Sequence, residues 1–246
     1  MRVFILLFYL EGLVYTTYMI RFHIVTLFEN LCSGYISDSI IHRAIEAKKI
    51  KVDFYNPRLF VKGKYKKKWP DGNISRIVDD KPYGGGPGMV LRAEPIVDCV
   101  LSIQKKISKR KETNTKIIIT SAGGNVFDTT YAKTTAKKYT DIIFICGRYE
   151  GVDERVKEVL KAENVSIGDY VLTGGELPAL VMMDCMARQV PGVLGKYESL
   201  EEERVSSHSV YTRPDTIVYN KKKYSVPKVL LDGNHKEIEL WKSTEQ

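Results

Sequence analysis

The sequence predicts an α/β protein built on a parallel sheet, and three observations carry that expectation. Phe22–Leu27 (FHIVTL) is rich in β-branched and aromatic residues, and Lys116–Thr120 (KIIIT) and Asp141–Cys146 (DIIFIC) are mostly apolar runs. They are too short for helices and read as strands buried on both faces. Helical spacing fills the intervals between them, and strands alternating with helices argue a parallel sheet. Glycine-dense polar loops follow the carboxyl ends of the second and third runs, where open α/β sheets bind ligands. A chain of 246 residues, 43% hydrophobic and 28% charged, suits one large domain or one domain with a small appendage.

Residues 1–18 (MRVFILLFYLEGLVYTTY) stand apart as an extension. Val3–Leu10 is apolar but is interrupted at Glu11, too short to span a bilayer, and no small-residue cleavage site follows. A cytoplasmic protein without a membrane partner is expected. Phe22–Leu27 is the first core strand, and Ser39–Lys49 has the spacing of a helix. Lys51–Asn56 alternates as a second strand and stops at Pro57. Arg58–Ile77 carries Lys62, Lys64, Lys66, Lys67 and Lys68, with Tyr65 and Trp69 among them. This run reads as a loop, either simply solvated or gripping an RNA backbone and stacking on its bases. Asp79–Met89 (DDKPYGGGPGM) meets neither the GxGxxG nor the P-loop spacing, which leaves a stiff, irregular loop able to form a pocket wall. Glu94–Lys109 is an amphipathic helix with Pro95 in its first turn. Strand Lys116–Thr120 turns at Ser121–Gly124, and helix Thr129–Tyr139 leads to strand Asp141–Cys146.

After that strand come Gly147-Arg148-Tyr149-Glu150-Gly151, a short charged helix, Ser166-Ile167-Gly168-Asp169-Tyr170, and then Gly174-Gly175-Glu176. Two such loops one helix apart suggest main chain wrapped around a small ligand, because glycine permits close approach; a pair of ordinary turns is the alternative. Leu177–Val190 is strongly apolar, and Met182, Met183 and Met186 read as core or subunit interface. Asp153, Glu154 and Arg155 read as local ion-pair partners. The four cysteines show no CxxC spacing and read as reduced thiols, with no metal-ligand cluster. Residues 196–213 lose the hydrophobic pattern and read as a linker. Residues 214–246 hold one strand-like run (Val226–Leu231) and a helix from near Asn234, too little to fold alone. The expected organisation is thus 1–18, 19–195, 196–213 and 214–246. Thirty-eight Lys+Arg against 30 Asp+Glu give +8, a balance that favours polyanionic partners such as nucleic acid.

GRYEGVDER and SIGDYVLTGGELPA, with further likeness from about Met19 to Trp241, resemble the bacterial-type tRNA (guanine-N1)-methyltransferases, members of the knotted SPOUT class. The resemblance implies a SPOUT-type parallel sheet with a deep C-terminal trefoil knot and a small, mainly helical C-terminal subdomain that contacts tRNA. The knot would run through the loops around 119–122, 147–151 and 166–175. It implies methyl transfer from S-adenosyl-L-methionine to N1 of the guanine just 3′ of the anticodon, by a homodimer with sites at its interface. By the same likeness Ile119, Thr120, Ser121, Ala122, Gly147, Arg148, Tyr149, Gly151, Ser166, Ile167, Gly168, Asp169, Tyr170, Val171, Leu172, Gly174 and Gly175 would hold the donor. Glu150 with Pro82, Tyr83, Gly84, Gly85 and Gly86 would face the target guanine. Arg188 would stabilise charge developing on O6. The family's general base is an aspartate in the linker; counted from Pro191-Gly192-Val193-Leu194-Gly195, the position holds Glu203 here. A shift of register nominates Glu202 or Glu201 instead. The family also continues further at the carboxyl end, and the resemblance leaves Mg²⁺ participation open. Two other readings follow from these departures: an RNA-binding protein of the same fold impaired in catalysis, and a related RNA methyltransferase with another target.

Overall fold

The structure, a computed structural model, describes residues 19–194 and 209–244. The chain divides into two compact units, up to Leu194 and from Gly195 onward.

In the first unit β1 (Ile20–Val25) is followed by α1 (Glu29–Ile36), α2 (Ser39–Glu46) and β2 (Ile50–Tyr55). Two small ribbons come next, β3 (Lys66–Lys68) with β4 (Ile74–Arg76) and β5 (Asp79–Asp80) with β6 (Val90–Leu91). Then follow α3 (Ala93–Ile107), β7 (Thr115–Val126), α4 (Thr129–Lys138), β8 (Asp141–Cys146), α5 (Arg155–Leu160), β9 (Glu163–Ser166) and α6 (Glu176–Arg188). The main sheet has the order β2-β1-β8-β7-β9, and every pairing in it is parallel. All six residues of the central strand β8 are buried, as the apolar run Ile142–Cys146 required, and Asp141 at its start is buried with them.

Alternate residues of the strands feed two cores. Phe22, Ile24, Ile142, Phe144 and Ile118 pack with Met182, Met183 and Met186 on one face. Val25, Ile143, Ile145, Ile117 and Ile119 pack with Ile96, Val100 and Ile103 of α3 on the other. The methionines are therefore core, and α6 is their carrier. No disulfide joins the described cysteines: Cys32, Cys99 and Cys146 are buried and Cys185 is half-buried.

Three local readings are revised. Ser121–Gly124 does not end its strand: Thr120 and Asn125 both pair with Val165, so the four residues form a bulge inside a longer β7. β9 was not expected, because a short polar ENVS run carries no period of its own. The lysine run is half ribbon, with Lys66 opposite Arg76 and Lys68 opposite Ile74.

At the amino-terminal edge of the sheet lies a buried polar network. Asp141 Oδ1 accepts from His23 Nε2 at 2.9 Å and from Arg110, while Oδ2 accepts from Thr140 Oγ1 at 2.8 Å. His23 Nδ1 faces the Tyr55 hydroxyl at 3.3 Å. Burial alone would raise the Asp141 carboxyl, but these three donors hold it below its ordinary value.

The second unit contains an antiparallel hairpin, β10 (Thr216–Tyr219) with β11 (Lys222–Ser225), and a helix, α7 (His235–Thr244). Val226–Leu231 holds a single 3₁₀ turn (Lys228–Leu230), not a strand. This unit is thus as much hairpin as helix. Tyr211 and Trp241 bring their rings to 6.2 Å within it.

Candidate active site at the carboxyl ends of the strands

Three loops meet beyond the carboxyl ends of β7, β8 and β9 around a cleft of about 440 Å³. That volume falls in the range of small-molecule sites. The first wall is Ile119–Gly123 and the second Gly147–Glu154; Asn164–Gly168, Tyr170–Gly175 and Pro178 close it.

Short hydrogen bonds tie these loops to each other. Gly147 N donates to Thr120 Oγ1 at 3.2 Å, and Gly175 N donates to the Gly147 carbonyl at 2.8 Å. Gly175 fits because it has no side chain. A Cβ there would lie 1.9 Å from Thr120 Oγ1 and 2.6 Å from Gly147 N. Tyr149 adopts a left-handed φ of 59°, an unusual backbone for a ring-bearing residue, and its side chain is exposed.

Arg148 is held from three sides. Its Nη2 forms an ion pair with Glu176 Oε2 at 2.9 Å, Nη1 donates to the Thr173 carbonyl at 3.1 Å, and Cζ lies 4.6 Å from the centre of the Phe28 ring. Glu176, only 3% exposed, accepts from Thr26 Oγ1 through Oε1 at 2.7 Å. The angles at the Arg148–Glu176 contact fall short of a hydrogen bond. Arg148 Nε and Glu176 Oε2 are therefore buried without a hydrogen-bond partner, as is Asn164 Oδ1 on the cleft wall. Unmet polar atoms of this kind mark a place where a ligand finds donors and acceptors waiting.

Burial pushes the Cys32 thiol up to about 11, with the Glu176 carboxylate adding to the rise. Cys146 is pushed up by the same two causes. Both stay protonated near neutral pH, so neither serves as a thiolate nucleophile. Asp153 pairs with Arg155 at 2.6 Å and Glu154 with Lys157 at 3.1 Å, as local ion pairs. Among the described residues no group of three or more His, Cys, Asp or Glu side chains could hold a metal ion. No helix among them is long and apolar enough to cross a membrane.

Of the residues expected at the donor site, all but one line this cleft; Asp169 lies on the exposed side of its loop. Glu150 also lines it. Pro82–Gly86 do not, yet their loop runs against the cleft's rim. Gly88, at the loop's end, faces Glu150 so closely that a Cβ would lie 2.3 Å from Glu150 Oε1. Gly84, Gly85 and Gly86 all take left-handed φ values, which this loop's path requires and side-chain-bearing residues resist. Arg188 sits at the far end of α6 and does not line the cleft. Glu203, with Glu201 and Glu202, lies outside the described residues. Thr26, Glu176 and Asn164 were not anticipated as site residues. Only the acidic residue after Gly174-Gly175 offered a hint, since Thr26 and Glu176 are 150 positions apart.

A family profile described as tRNA (Guanine-1)-methyltransferase TrmD matches residues 20–246. A tRNA (guanine-N(1)-)-methyltransferase of Clostridioides difficile is 43% identical over 229 residues, 92% of this chain and 91% of that protein. One from Buchnera aphidicola is 41% identical over 93% of this chain and 90% of its own. A crystal structure of tRNA (m1G37) methyltransferase from Aquifex aeolicus superposes with a TM-score of 0.68 at 37% identity, covering 91% of this chain and 87% of the other. With the family profile matching nearly the whole described chain and relatives above 40% identity, the chain belongs to the tRNA (guanine-1)-methyltransferase family.

Proposed function

We propose that this chain methylates N1 of the guanine immediately 3′ of the anticodon in tRNA, with S-adenosyl-L-methionine as donor. The observation that carries this reading is the cleft bounded by Thr120, Gly147 and Gly175, in a chain over 40% identical to methyltransferases of that name along nine-tenths of its length. The cleft's size and its backbone donors and acceptors fit a nucleoside-bearing ligand, and Asn164 Oδ1 offers an unmet acceptor. When bound, the donor supplies an activated methyl group.

The chain must do the rest. Guanine N1 is a poor nucleophile until its proton leaves, so a base is needed beside N1 and a cation beside O6. Glu203 is assigned the proton and Arg188 the charge on O6, with Glu150 orienting the base from the rim. Arg188 is on α6 three turns after Leu177 and two after Val181, whose exposed side chains form an apolar stripe beside exposed Leu31 and Tyr35 of α1. Such a stripe supports a homodimer, in which Arg188 would serve the partner's cleft. The close packing of Gly175 against Thr120 and Gly147, which ties three loops together, supports a chain threaded as a trefoil knot. A cytoplasmic location accords with a tRNA substrate.

The test uses purified full-length protein, labelled S-adenosylmethionine and two tRNA transcripts differing only in guanine or adenine 3′ of the anticodon. Label is expected on the guanine transcript alone; label on both, or on neither while the donor binds, overturns the reading. Glu203→Gln is then expected to lower transfer at least 100-fold, the scale of a lost general base, with donor affinity unchanged.

A further inference from the structure

The ribbon β3–β4 has a chemistry that the fold does not use. From Lys64 to Arg76 the chain carries five cations against a single carboxylate, Asp71. Asp71 is committed to its own turn, accepting from Asn73 N at 3.0 Å and Asn73 Nδ2 at 2.7 Å. All three residues of β3 are exposed, so neither face of this strand is covered by the core. Lys66 stands directly opposite Arg76, a like-charge pairing that weakens a ribbon already short for independent stability. At the tip, Trp69 closes the turn through its backbone, while its indole is 54% exposed.

The ribbon's base is nonetheless firmly held, and held to the cleft. Tyr65 donates its hydroxyl proton to Asp80 Oδ2 at 2.8 Å, and the Arg92 guanidinium lies 3.4 Å over its ring. Arg92 follows Leu91, whose N donates to the Gly151 carbonyl at 2.9 Å and whose carbonyl accepts from Asp153 N at 3.0 Å. Gly151 and Asp153 are cleft residues. A cationic ribbon with an exposed indole at its tip is thus fixed to the rim where the target nucleotide is expected.

We propose that the β3–β4 ribbon is an RNA-docking element of this chain: its lysines bind the phosphates of the tRNA's anticodon arm, and Trp69 stacks on an unpaired base of that loop. Clustered cations meet the phosphate charge, and aromatic stacking accepts any base, so the pairing suits nucleotides held in single-stranded form. The choice of the anticodon arm rests on the tRNA methylation reading above, but the test reads binding and needs no turnover.

The full-length protein is titrated with an anticodon stem-loop and with the same stem as a blunt duplex, over a series of salt concentrations. Lys66, Lys67 and Lys68 changed together to Gln are expected to lower the slope of log affinity against log salt by about two units. Trp69→Ala is expected to weaken stem-loop binding about tenfold and to spare the duplex, with Trp69→Phe restoring most of the loss. Donor affinity by calorimetry should stay unchanged in all three variants. Unchanged stem-loop affinity and slope in the lysine variant, or a Trp69→Ala loss equal on stem-loop and duplex, overturns the proposal. Failure of the methylation reading would show instead as bound donor without transfer in the unaltered protein.

Discussion

Two carboxylates are buried at opposite ends of the same sheet, and the chain treats them differently. Asp141, fully buried at the start of β8, has both oxygens accepting hydrogen bonds, from His23, Arg110 and Thr140. Glu176, equally hidden beyond the strand's other end, has one oxygen bonded to Thr26 and the other in an ion contact that makes no hydrogen bond. The amino end is a closed network, in which each charge is matched by fixed donors. The carboxyl end leaves polar atoms of Arg148, Glu176 and Asn164 unmet beside a cleft lined by glycines. A fold gains nothing in stability from buried unmet polar atoms, so their concentration at one end marks that end as the place for a ligand.

The largest effect should come from opening the closed end. Asp141→Ala would leave His23 and Arg110 without their buried partner, and losing one member of such a network costs about 3–5 kcal/mol. Urea unfolding of the variant should show a loss of that order, while the folded protein keeps its donor affinity. A loss below about 1 kcal/mol would mean that the network is not what holds this end.

The open end should answer in the reverse sense. Glu176→Gln keeps the volume and a carbonyl oxygen for Thr26, and removes the charge that steadies Arg148. Stability should fall by only about 1 kcal/mol, the scale of one weakened buried interaction. Donor affinity measured by calorimetry should fall at least tenfold, because Arg148 would lose the ion pair that holds it beside Gly174. A variant as destabilised as Asp141→Ala but unchanged in donor binding would erase the distinction between the ends.

Which parts of this were legible in the sequence follows from the range of the interactions. β8 was read to the residue because five consecutive apolar positions after Asp141 need no partner to be recognised. The cleft loops were legible through their glycines, since close main-chain approach leaves a local mark. β9 was not, because Glu163–Ser166 becomes a strand only by pairing with β7 across the bulge at Thr120. Neither end's polar cluster could be assembled in advance. His23 meets Asp141 across 118 positions and Thr26 meets Glu176 across 150, and nothing in either segment announces the other. The lysine run showed its chemistry but not its shape, which depends on the anchoring of Tyr65 by Arg92 and Asp80.

The smallest and most selective test of the comparison is acid. Hydrogen bonding holds the folded Asp141 carboxyl below its ordinary value of 3.8 despite burial. A carboxylate whose folded value is depressed stabilises the protein fully above its unfolded value, and that stability is lost as pH falls through the lower, folded one. The neighbours that face it, His23, Arg110, Arg21 and Thr140, remain in an Asp141→Asn variant, as do the other acids with depressed values, Asp71, Asp80, Asp153 and Glu163. The difference in unfolding free energy between the unaltered protein and this variant therefore isolates one carboxyl. It should be constant from neutral pH down to about pH 5, and should narrow only as the pH passes below about 3.8. A difference that instead narrowed between pH 7 and 5 would place its origin in a group other than Asp141, and the closed end would no longer account for the acid sensitivity of the fold.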